Sequence, residues 1–120
     1  MTSNDEHTTL RQIKGKIQQF VRARKWEQYH NPKDLAEAIC IEAAELLQIF
    51  QWVTASEASS WKNVPSKVNK IKDELADVFI YCFSMANVLD IDVSEIIQQK
   101  LSKNEAKYPV DKYFGRARLE

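Results

Sequence analysis

Little in this sequence interrupts a helix. Its 120 residues include only two glycines and three prolines, and the alternation of β-branched residues that marks strands is scarce. The two cysteines, Cys40 and Cys82, each sit inside an apolar helical pattern, and no Cys-x-x-Cys occurs. That excludes a disulfide scaffold and a zinc knuckle. An excess of charge of one sign is missing too: 17 basic residues balance 17 acidic ones, leaving no overall basic field for nucleic acid. The longest apolar run, Val78 to Phe83, is far too short to cross a bilayer. Met1 to Thr9 is polar and lacks the apolar stretch of a signal peptide. These absences predict a cytoplasmic protein with neither nucleic acid nor a membrane as partner.

What is present suits one compact all-α domain over residues 1–120, since 44% hydrophobic content supports a core. A first helix is expected from Leu10 to Lys25, with Leu10, Ile13, Ile17, Phe20 and Val21 on one stripe. Asn31-Pro32, a favourable N-cap followed by proline at the first helical position, opens a second helix that runs to about Trp52. Thr54 to Ser66 reads as a loop with Trp61 as a packing anchor, and a third helix follows from Lys67 to Leu89. Asp92 and Glu95 form a capping-box-like pair for a fourth, which Pro109 ends. The polar ends, Met1–Thr9 and Gly115–Glu120, read as flexible tails. Val78 to Met85 is apolar nearly all round. Four helices in a chain this short give such a helix little cover, so the expectation is a four-helix bundle completed by oligomerisation.

Four carboxylates stand where an apolar face should be. On a wheel at about 100° per residue, Leu35, Ile39, Leu46, Ile49 and Phe50 form one stripe of the second helix. Glu42 falls in its middle and Glu45 at its edge. On the third helix Glu74 borders the face of Ile71, Val78 and Met85, with Asp77 beside it. An ionised carboxylate buried alone costs several kcal/mol, so the charge must be compensated. A buried salt-bridge network is one solution, but the inward faces offer no basic residue nearby, and Lys72 points away. A divalent cation is the simpler one. The i, i+3 spacing puts each pair on one side of its helix, and two facing pairs make an all-oxygen nest suited to Mg²⁺ or Mn²⁺. A di-iron centre is excluded, because neither His7 nor His30 follows an acid by three residues on a core helix.

IEAAELLQIFQW followed after a loop by DELADVFIY resembles the MazG-like all-α nucleoside triphosphate pyrophosphohydrolases, whose signature is E-x-x-E on one helix and E-x-x-D on the next. Two flanking stretches, RKWEQYHNPKDLAEAI ahead of the first acid pair and KLSKNEAKYPVDKYFGRA behind the other, are most similar to the dCTP pyrophosphatase subgroup. The likeness extends from about Phe20 to Ala117. Where one common family version has G-E-x-G-E, this chain has alanines at 43 and 44, small residues that favour a helix.

The resemblance implies hydrolysis of a (deoxy)nucleoside triphosphate, dCTP-like by preference, to the monophosphate and pyrophosphate, in a house-cleaning role. It implies that Glu42, Glu45, Glu74 and Asp77 hold Mg²⁺, with Glu42 or Glu45 taking the proton of the attacking water. It makes Trp26, His30 and Trp52 the residues that enclose the base. The match to K-x-x-x-N-x-x-K-Y-P gives Lys100, Asn104 and Lys107 to the triphosphate, where lysine serves as a point charge. Tyr81, four residues after Asp77, is either site or core. The family builds its sites in dimers, often paired into tetramers. A rival from another class is a non-catalytic helical oligomer that binds nucleotide and metal as a sensor.

Overall fold

A computed structural model describes residues 3–119; positions 1, 2 and 120 of the two expected tails lie outside the described residues. All regular structure among the described residues is helical. It comprises α1 (Leu10–Ala23), α2 (Pro32–Ile49), α3 (Ala55–Ser60), α4 (Pro65–Val88), α5 (Val93–Lys107) and α6 (Val110–Tyr113), with 3-10 turns at Glu27–Tyr29 and Trp61–Asn63. The four long helices are those the apolar periodicity predicts. Among the described residues no helix is long and apolar enough to cross a membrane.

Helix starts follow local chemistry. Thr9 and Gln12 close a full capping box on α1. Asn31 accepts from the Asp34 amide at 2.9 Å, with Pro32 in the first turn of α2. Asp92 accepts from the Glu95 amide at 2.9 Å, but the Glu95 carboxylate turns along the helix to Gln99 instead of completing a box. Between α2 and α4 the expected loop is ordered as α3 and a 3-10 turn, because Thr54 caps α3 through the Glu57 amide at 3.1 Å.

The chain divides into two compact units, one through Asp90 and one from Ile91. In the first, α2 and α1 both pack along α4, and the turn at Trp61 packs against the same helix. Leu35, Ile17, Val21, Trp61 and Ala86 are buried there. Trp61 stacks on Phe50 with ring centroids 5.5 Å apart, and the Lys67 ammonium lies 4.8 Å from its ring. Asn87 crosses to α1, donating to the Lys14 carbonyl at 3.1 Å. In the single chain Phe79 and Ile80, within the run that reads as buried all round, remain 52% and 40% exposed. The second unit carries α5 and α6, with Tyr108 meeting Tyr113 edge-on at 5.1 Å.

Candidate active site

The packing of α2 along α4 sets the two acid pairs against each other. Glu42, Glu45 and Glu74 each bring one carboxylate oxygen into a cluster whose atoms lie within 4.8 Å of one another. Glu45 is exposed, while Glu42 and Glu74 are half-buried. One oxygen of each of these two, Glu42 Oε2 and Glu74 Oε2, is buried without a hydrogen-bond partner. Among the described residues no ion pair reaches the cluster; the three present involve Glu6, Asp34 and Glu37.

Crowded and without an ion-pair partner, Glu42 and Glu74 resist ionisation. Desolvation first, then a proton shared with Glu45 and the charges of Glu45, Asp77 and Glu74, push Glu42 up to about 7. Desolvation and the same neighbour raise Glu74, with Asp77 and Asp73 adding to it. A divalent cation supplies what both orphaned oxygens and this mutual repulsion lack, so the donor set can hold a metal ion. Asp77 stands outside the closest trio, one turn further along α4. Its charge acts on Glu42 and Glu74, and its side chain lines the neighbouring cavity.

That cavity, about 230 Å³, is lined by the aromatic residues Phe20, Trp26, His30 and Tyr81 together with Val21, Ile80 and Ser84. His30 and Tyr81 meet with ring centroids 6.4 Å apart and planes tilted by 38°. Trp26 meets Phe20 edge-on at 5.8 Å, and the Arg24 guanidinium lies 3.8 Å over the Phe20 ring. The chain reaches this arrangement by the way α1 ends. Lys25 adopts a left-handed φ of 54°, its amide bonds the Arg22 carbonyl, and the Trp26 amide bonds the Val21 carbonyl, each at 3.0 Å. This paired closure turns Trp26 back onto the helix it has just left. With a divalent cation held in it, an acid nest beside an aromatic cavity can take a ligand that is anionic at one end and planar at the other.

Trp52 is placed differently from its wheel position. α2 stops at Ile49, and Trp52 takes a left-handed φ of 66° and is 93% exposed. The apolar run Ile49, Phe50, Trp52 continues the helical pattern past the point where the backbone leaves it. The aromatic cavity is lined without it. Lys100, Asn104 and Lys107 lie on α5 in the second unit, spaced as one face; the Lys107 ammonium sits 5.4 Å from the Tyr108 ring. Sequence reasoning missed Lys70 and Gln48, which line a groove with Glu45, Ile49 and Glu74; the i, i+4 spacing from Lys70 to Glu74 was the available signal. It also missed Ser84, a small polar residue in an apolar run, and Phe20 appeared only as one member of an apolar stripe.

Residues 38–118 match the family model described as the MazG-like family. Over 109 residues the chain is 32% identical to dCTP pyrophosphatase 1 of Mus musculus, covering 91% of this chain and 64% of that protein. It is 33% identical to dCTP pyrophosphatase 1 of Homo sapiens over 101 residues, 84% of this chain and 59% of that one. The chain therefore spans less than two thirds of the length of these curated relatives. A crystal structure of a pyrophosphatase from Archaeoglobus fulgidus is similar with a TM-score of 0.77 and 35% sequence identity, over 90% of this chain and 99% of that one.

Proposed function

The chain belongs to the MazG-like family, and from that premise we propose that it is a Mg²⁺-dependent nucleoside triphosphate pyrophosphohydrolase acting on dCTP or a close relative. The observation that carries the reading is the convergence of Glu42, Glu45 and Glu74 within 4.8 Å, with buried oxygens of Glu42 and Glu74 unpartnered. In this reading Glu42, Glu45, Glu74 and Asp77 hold Mg²⁺, for which Mn²⁺ can substitute. Bound there, the ion acidifies water and neutralises charge growing on the phosphoryl oxygens.

The chain's own groups do the rest. Glu42 or Glu45 accepts the proton as water attacks the α-phosphorus, the bond to the bridging oxygen breaks, and pyrophosphate departs with that oxygen. Trp26, His30 and Tyr81 enclose the base, with Trp52 as a further aromatic surface; ring faces supply affinity with little discrimination. Lys100, Asn104 and Lys107 bind the triphosphate from α5. The whole chain acts as one domain in a cytoplasmic homo-oligomer, a dimer or a dimer of dimers, that clears unwanted deoxynucleotides. The half-exposed Phe79 and Ile80 of α4 support the oligomer. A sensor without turnover has no need of all four acids, so hydrolysis is preferred over that alternative.

The test is a panel of dNTPs and NTPs, with and without Mg²⁺, with pyrophosphate resolved from orthophosphate. Monophosphate and pyrophosphate released only with Mg²⁺, and fastest from dCTP, is the expected result. Orthophosphate as the product, or tight binding without turnover of any nucleotide, overturns the hydrolase assignment.

A further inference from the structure

Ser84 is the buried polar residue among those that line the aromatic cavity. It is 3% exposed, and its Oγ has no hydrogen-bond partner. A serine inside a helix ordinarily satisfies its hydroxyl on the carbonyl one turn back, which here would be that of Ile80, yet that bond is not made. Its cavity neighbours Phe20, Val21 and Ile80 have no side-chain group to offer. An orphaned buried hydroxyl is costly, and such atoms in native folds require an explanation.

Resting on the reading of this cavity as a base pocket, we infer that Ser84 is a specificity-determining residue whose hydroxyl pairs with the polar C4 edge of a pyrimidine base. Asp77, Tyr81 and Ser84 fall at i, i+4 and i+7 on α4, and all three line the cavity. Asp77 thus marks its phosphate end, and Ser84 lies about 10.5 Å further along the helix axis. The C4 substituent is the part of a pyrimidine remote from the sugar, so a base lying along Tyr81 with its sugar toward Asp77 presents that edge to Ser84. A hydroxyl both donates and accepts, so it can accept from a 4-amino group or donate to a 4-oxo group. What it rejects is a ring with neither, because the serine is then sealed in unpaired.

The experiment compares dCTP with the analogue whose ring carries hydrogen at C4, in the wild type, Ser84→Ala and Ser84→Thr. Losing one buried hydrogen bond is expected to raise KM for dCTP about tenfold in Ser84→Ala. The value of kcat and the Mg²⁺ dependence stay as in the wild type, and Ser84→Thr, which keeps the hydroxyl, retains the low KM. The thermal midpoint of Ser84→Ala is unchanged or higher, since the substitution removes an unsatisfied group. For the C4-hydrogen analogue the KM of Ser84→Ala is no higher than that of the wild type, because the substitution removes the hydroxyl that this ring leaves unpaired. An unchanged KM for dCTP in Ser84→Ala overturns the inference. So does an equal rise for both substrates, the mark of a merely structural serine. If the wild type hydrolyses no nucleotide, it is the hydrolase reading that falls; the same comparison is then made on calorimetric Kd values, and equal dCTP affinity in the wild type and Ser84→Ala overturns the role of Ser84 independently.

Discussion

Glu42 of α2 and Glu74 of α4, on different helices of the first unit, bring carboxylate oxygens within 4.8 Å of each other, and among the described residues neither has an ion-pair partner. The pairing opposes folding, since each group is desolvated and repelled by its neighbours. Glu42→Gln should therefore raise the thermal midpoint of the protein in EDTA at pH 8, where Glu42 is ionised, while abolishing Mg²⁺-dependent pyrophosphate release. Scanning calorimetry beside the product assay checks both. A lower midpoint with activity retained would contradict the assignment.

The same crowding makes metal binding a proton-release reaction. Glu42 stands at about 7 in the fold against 4.5 for the free side chain, and Glu74 is shifted the same way. For groups raised in this direction, the stability they contribute to the metal-free protein is fully present below about pH 4.5 and lost as pH rises through about 7. Metal affinity runs oppositely, because the ion must displace those protons. Mg²⁺ affinity should climb from about pH 5.5 through 7 and level near pH 8. A flat calorimetric Kd across that range would show that these carboxylates are not the ligands.

Two positions on α1 invite opposite substitutions. Gly15 lies inside the helix, and a Cβ there meets nothing within 4 Å. Gly15→Ala should stabilise by about 0.5–1 kcal/mol. Lys25 bears a side chain at a left-handed φ of 54° where α1 closes before Trp26. Lys25→Gly should stabilise by roughly 1 kcal/mol and leave KM untouched, since the closure that places Trp26 is kept. Urea denaturation reads both effects, and a loss of stability in either variant would show that the local backbone differs from the one described.

Substrate contacts divide into two kinds of signature. Trp26→Ala strips a wall from the cavity and should raise KM for dCTP while changing kcat little. Lys100→Met should raise KM by an amount that shrinks as salt is added, because a point charge on α5 is screened. Steady-state kinetics at two ionic strengths separate them. Equal salt sensitivity of the two variants would remove Lys100 from the triphosphate site.

The acid cluster was legible in sequence because a carboxylate in the middle of an apolar stripe violates the pattern around it, and helical spacing alone puts each pair on one side of its helix. Caps at Thr9, Asn31 and Asp92 shaped the helix starts through local chemistry. The end of α2 was not legible, because Phe50 and Trp52 continue its apolar rhythm, and only the left-handed turn at Trp52 takes the backbone elsewhere. Ser84 and Phe20 were unreadable as site residues for another reason: their place in the cavity depends on how α1 lies along α4, a long-range packing that no short motif encodes.

The most direct test of the central claim, that the carboxylates of α2 and α4 form a metal site, is a Mg²⁺ titration by calorimetry at pH 8 on the wild type and on Glu74→Gln. The wild type should bind with release of heat or protons at a defined stoichiometry, and a site occupied at 100 times its Kd should stabilise the fold by about 2.7 kcal/mol. Glu74→Gln should lose both the binding and the stabilisation. Equal binding by the two proteins would place the metal elsewhere and contradict the account.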